Sequence, residues 1–169
     1  MSRDDKILIC GVGNVLRADD GFGVRVAHAL MARDDLGSSV KVIETGIGGM
    51  SLVQELMDGY DALLLIDAYT REGEPGQLYF LEPEIPDTDS MGVHEKRSYF
   101  ADTHYATPIR ALALASQVAE LPSVIRVLGC EPQNCDDMTI GLTPPVEAAI
   151  PAAIEMALDF LNKILRPGS

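Results

Sequence analysis

The run Ala62-Leu63-Leu64-Leu65-Ile66, closed by Asp67, constrains the fold more than any other segment. Five unbroken apolar residues ending on a carboxylate read as a strand covered on both faces. Similar short apolar stretches alternate with helical periods along the chain, which argues for an α/β fold around a largely parallel sheet. The strands expected are Lys6 to Val12, Val40 to Glu44, Ala62 to Asp67, Gln77 to Leu81 and Val124 to Leu128. The connection Thr70-Arg71-Glu72-Gly73-Glu74-Pro75-Gly76 is too short and polar for a crossover helix, so the fourth strand is expected to run antiparallel at an edge.

Helix one is expected from Gly21, with Val24, Ala27, Leu30 and Met31 on one face, and helix two from Met50, with Val53, Leu56 and Met57. Glu82 to Ala101 reads as a long irregular stretch. Helix three begins at Tyr105, or at Pro108 if Thr107 caps it, and carries Ile109, Leu112, Ala113 and Val118. The last helix follows Thr143-Pro144-Pro145, with Val146, Ile150, Ile154, Leu158 and Leu161 inward and Pro151 expected to kink or restart it. The whole, residues 1–169, reads as one domain, a three-layer α/β/α arrangement with a five-stranded, mostly parallel sheet and one antiparallel edge strand.

Composition narrows the partners. A formal charge of −13 repels phosphate backbones, which disfavours nucleic acid and suits a basic or amide-rich peptide. No apolar run has the length of a membrane span, and the N-terminus lacks a signal-peptide apolar region, so a cytoplasmic protein without membrane insertion is expected. The three cysteines make no disulfide framework; Cys10 and Cys130 read as buried thiols.

Chemistry concentrates in a few residues. Gly11-Val12-Gly13 follows the first strand, but Leu16 stands where a dinucleotide fingerprint needs its third glycine. The glycines read instead as a tight turn that a substrate backbone can approach. Asp19 reads as the cap of helix one, while Asp20 suits either a cap or a ligand. Asp67 lies at the carboxyl end of a strand, where parallel α/β sheets bind their ligands. Of the three histidines, His28 reads as a surface residue of helix one and His94 as exposed, whereas His104 precedes an apolar helix beside Asp102. Asp20, Asp67 and His104 together have the composition of a three-ligand divalent-metal site with open positions, the kind that metal-assisted hydrolysis uses.

Several segments in order resemble the nickel–iron hydrogenase maturation endopeptidases: Ile9-Cys10-Gly11-Val12-Gly13-Asn14, Asp19-Asp20-Gly21-Phe22-Gly23-Val24, Glu44-Thr45-Gly46-Ile47-Gly48-Gly49-Met50, Leu64-Leu65-Ile66-Asp67-Ala68, Val127-Leu128-Gly129 and Ile140-Gly141-Leu142-Thr143-Pro144. The resemblance implies a cytoplasmic endopeptidase that removes the C-terminal extension of a nickel–iron hydrogenase large-subunit precursor once nickel is in place. It puts the family's metal-recognising residues on Asp20, Asp67 and His104, which are then also the catalytic candidates. Nickel is expected to arrive with the precursor, other divalent cations being able to take its place. Gly46, Gly48 and Gly49 are the candidates for contacts with the substrate backbone. Ile47, where a threonine is frequent, and the long charged loop before His104 depart from the family pattern. Two alternatives differ in chemistry: a metal-independent hydrolase using Asp20 and Asp67 as an acid–base pair, and an acidic chaperone of the precursor without enzymatic activity.

Overall fold

The computed structural model describes residues 5–46, 49–101 and 108–168. Five strands, β1 (Ile7–Val12), β2 (Val40–Thr45), β3 (Ala62–Ala68), β4 (Leu78–Leu81) and β5 (Val124–Cys130), form one sheet in the order β2-β1-β3-β5-β4. All neighbours are parallel except β4, which pairs antiparallel with β5 at the edge, as the short polar connection predicted. The helices are α1 (Phe22–Met31), α2 (Met50–Leu56), α3 (Val93–Ala101), α4 (Pro108–Ala115) and α5 (Pro144–Leu165).

The central strands alternate between two cores. Ile7, Ile9, Leu64 and Ile66 pack with Phe22, Val26 and Leu30 of α1 and with the Ala149, Ala153 and Ala157 stripe of α5. Leu8, Cys10, Leu63 and Leu65 face the other way, against Leu52 and Leu56 of α2 and Leu112 of α4. Small residues on α5 bring that helix close to the sheet, which explains why its innermost positions are alanines while Ile150, Ile154 and Leu158 are only partly buried.

Four expectations need correction. The stretch after Glu82 is not wholly irregular: it contains a 3-10 turn at Thr88–Ser90 and then α3, none of whose residues is buried. A helix without an apolar stripe leaves no period in the sequence. Helix α4 ends at Ala115, so Val118 lies beyond it and is exposed. Pro151 does not restart the helix, since α5 is one continuous helix through it; the proline is on the exposed side, where the carbonyl it leaves free can meet water. Met31 and Met57, expected inward, are exposed at the ends of their helices.

The start of α1 is fitted tightly into the sheet. A Cβ on Gly23 would collide with the carbonyl oxygens of Val12 and Ile66, and one on Gly11 with the carbonyl of Gly23. This contact sets the depth at which α1 enters between β1 and β3. Gly23→Ala is expected to destabilise the protein by about 2–3 kcal/mol, because backbone rather than a flexible side chain must move. Urea denaturation checks this, and a change below about 0.5 kcal/mol would show that α1 can shift at no cost.

Candidate active site

The site is built at the carboxyl edge of the sheet by the connections after β1, β3 and β5. After β1 the chain turns at Gly13, whose φ is +142°, and a Cβ there would strike the carbonyl oxygen of Asp20. The Asn14 N–H then donates to Asp20 Oδ2 at 2.9 Å. Gly13 therefore makes room for its own chain at the Asp20 carbonyl. The turn closes in a 3-10 segment, Ala18–Gly21, that leads directly into α1.

Asp20 and Asp67 come together here. β1 and β3 are adjacent, with Gly11 opposite Ile66, so the Asp20 turn lies over the end of the strand that carries Asp67. Burial pushes the Asp67 carboxyl well above the usual carboxylate range, and the negative charge of Asp20 pushes it further, against a smaller downward pull from the Ala68 N–H. Two carboxylates with no cation between them repel, and a bound cation would relieve both causes at once. The chemistry of this donor pair thus fits a divalent metal. Among the described residues, no three His, Cys, Asp or Glu side chains form a metal-binding group. His104 and Gly48 lie outside the described residues, as does Asp102.

Gly46 is exposed and lines, with Gly13, Asn14 and Thr45, a cleft of about 340 Å³ on one side of the Asp20 turn. Gly49 is placed differently. It is buried at the start of α2 with φ +65°, and a Cβ on it would meet the Ala111 side chain at 2.7 Å. On the other side of Asp67 a larger cleft of about 840 Å³ runs past Tyr69 and Arg71 over Leu81, Ile109 and Val127. It lies where the antiparallel strand extends the sheet.

Asp19 does not cap α1, contrary to expectation. It is fully buried and holds the segment between β5 and α5. Its Oδ2 accepts from the N–H groups of Gln133 (2.8 Å) and Asn134 (2.9 Å), and its Oδ1 from the Thr143 N–H (2.7 Å). The Thr143 hydroxyl donates to the same carboxylate at 2.8 Å. Backbone bonds from Ala18 N–H to the Thr139 carbonyl (2.8 Å) and from Asp19 N–H to the Asn134 carbonyl (2.9 Å) complete the junction. The tethered segment brings Cys135 to the site, where burial and then the charges of Asp20, Asp19 and Asp67 push its thiol up to about 12. Cys10 and Cys130 are buried in the two cores, as expected.

Glu131 organises the far wall in the same manner. It is buried, and its Oε2 accepts from the Arg71 N–H (2.7 Å) and the Tyr79 hydroxyl (2.8 Å). No local pattern flags Asp19 or Glu131 in the sequence, since each is one acidic residue among 26. His28 is exposed and pairs with Glu44, and His94 is exposed, both as expected.

Comparisons with known proteins agree with this architecture. The sequence model of the hydrogenase maturation proteases, HycI, matches residues 24–160. A hydrogenase expression/formation protein, HupD, of Rhizobium leguminosarum bv. viciae is 32 % identical over 161 residues, covering 93 % of this chain and 74 % of its own length. The hydrogenase 2 maturation protease of Escherichia coli is 31 % identical over 160 residues, 94 % of this chain and 92 % of that protein. Among solved structures, the hydrogenase maturating endopeptidase HybD from E. coli superposes with a TM-score of 0.73 at 30 % identity, covering 94 % of this chain and 93 % of that one. Sheet order, the matched span and these relatives together make this chain a hydrolase, an endopeptidase of the hydrogenase maturation protease family.

Proposed function

We propose that this endopeptidase removes the C-terminal extension of a nickel–iron hydrogenase large-subunit precursor in the cytoplasm, after nickel has been inserted. The observation that carries this reading is the convergence of Asp20 and Asp67 at the carboxyl edge, where Asp67 is destabilised as an anion by burial and by Asp20. A pair so disposed gains most from a cation brought to it. Two hard carboxylates and an imidazole make only a modest nickel site, so tight assembly needs the thiolates that hold nickel in the precursor as well. Asp20, Asp67 and His104 fill the positions those thiolates leave open. The nickel is thus part of the substrate, and it anchors the precursor with its scissile peptide bond beside the carboxylates. Water then adds across that bond, giving a new C-terminal carboxylate and a free extension. The clefts on either side of the pair, one past Gly46 and one past Tyr69 and Arg71, suit an extended chain crossing the site. Among the described residues no helix is long and apolar enough to cross a membrane.

A second reading rests on the same upward shift. A buried carboxyl raised above its usual range beside a second carboxyl has the makings of an acid–base pair, able to activate water and protonate the leaving amine without metal. One experiment separates the two: incubate the protein with nickel-free and nickel-loaded precursor and follow precursor mass. The metal-checkpoint reading expects shortening of the loaded form only. Equal cleavage of both, persisting in chelator, would overturn it and favour the acid–base pair. Binding of the precursor with no mass change in either form would leave only the chaperone.

A further inference from the structure

The segment between β5 and α5 carries two of the most exposed large apolar residues of the protein, Met138 and Ile140, at 75 % and 78 % exposure. Beside them stand Val15 and Leu16 of the β1–α1 turn, at 40 % and 49 %. The two segments are stitched together by the bond from Ala18 N–H to the Thr139 carbonyl, between Met138 and Ile140, and by the buried Asp19 carboxylate below it. An apolar tip on a loose loop could fold back and hide. This one is held out by a buried carboxylate with donors on both oxygens, so its exposure is built into the fold.

We propose that Met138, Ile140, Val15 and Leu16 form a docking ridge for the folded body of the large-subunit precursor, distinct from contacts with the scissile segment. This rests on the precursor being the substrate. Continuity with the site supports it: Val15 and Leu16 belong to the same turn as Asp20, and Met138 and Ile140 are tied to that turn through Thr139, so a folded protein presenting a bond to Asp20 and Asp67 covers the ridge. Charge favours a heterologous partner. Asp136, whose side chain is fully exposed and stands 3.9 Å from the Arg17 guanidinium, and Asp137 flank the ridge, leaving its edge net acidic, and the chain carries a net −13. A second copy would bring like charges together, whereas a partner with an apolar pocket rimmed by Lys or Arg complements both features.

The test uses Met138→Ser/Ile140→Ser and, separately, Asp136→Lys, with the full-length loaded precursor as substrate. All three side chains are exposed, and circular dichroism and melting temperature should match the wild type. The double variant is expected to raise KM about tenfold with kcat within about twofold of wild type. Asp136→Lys is expected to raise KM several-fold and to weaken its dependence on salt. Unchanged KM in the double variant, with normal wild-type processing, would overturn the ridge and leave the substrate assignment standing. A loss confined to kcat would also overturn it, because it would mean a disturbed site. Sedimentation tests the other occupant: a wild-type dimer that the double variant abolishes at unchanged KM assigns the ridge to a second copy. If the wild-type protein fails to shorten the loaded precursor at all, the substrate assignment and the ridge fall together.

Discussion

Asp67→Asn is expected to abolish precursor processing while leaving the fold intact and more resistant to heat. The side chain keeps its shape and loses its charge. Loss of an anionic ligand, or of a titratable acid–base group at the same position, costs about 10²–10⁴-fold in rate. Stability moves the other way. Burial and the nearby Asp20 raise the Asp67 carboxyl above its ordinary value of 3.8, so the folded state holds a proton that the unfolded chain has released. Between those two values stability therefore falls as pH rises, and at neutral pH, above the unfolded value, the upward shift is a net burden on the fold. An asparagine has nothing to ionise. The melting temperature of the variant should exceed that of the wild type at neutral pH, and the gap should close as pH falls toward about 4. Thermal unfolding across pH, together with precursor mass, checks both halves. A folded Asp67→Asn protein that processes normally would remove the residue from the site. One that is less stable than the wild type at neutral pH would show that favourable contacts of the carboxylate, the Ala68 N–H among them, outweigh burial and the charge of Asp20.

Such a trade of stability for function is where sequence reading was strongest. Asp67 stood out because the run before it admits one interpretation, a strand covered on both faces, and the carboxyl end of such a strand is where ligands gather. The antiparallel β4 was legible for a similar reason, since Thr70 to Gly76 cannot span a crossover. The failures share a cause as well. α3 buries nothing, so no apolar period marks it. The local meaning of Pro151, a helix restart, is overridden by its solvent-facing position in a long helix. Asp19 was assigned the nearest available role, a helix cap, because its true partners lie 114 to 124 residues away in the chain. Local pattern cannot see a hydrogen bond of that range, nor the close backbone approaches that Gly11 and Gly13 permit to Gly23 and Asp20.

That distant junction carries the largest stability effect expected in the molecule. Asp19→Ala removes the acceptor for three backbone N–H groups and one hydroxyl in a fully buried place. Each N–H left without an acceptor costs on the order of 1–3 kcal/mol, partly recovered as the segment loosens and water enters, so a net loss of about 3–5 kcal/mol is expected. That is a large share of the stability of an ordinary domain. Asp19→Asn should lose less, about 2 kcal/mol, since one carbonyl oxygen remains while its amide faces donors it cannot accept from. Urea denaturation ranks the two. Hydrogen exchange locates the damage: the amides of Gln133, Asn134 and Thr143 should be protected in the wild type and exchange fast in Asp19→Ala, while the amides of β1 and β3 keep most of their protection relative to one another. A helix cap predicts the reverse pattern, with loss concentrated in the first turn of α1 and a cost of about 1 kcal/mol. Fast exchange at Phe22 to Val24 with a protected Gln133 would therefore return Asp19 to the role its neighbours in sequence suggest.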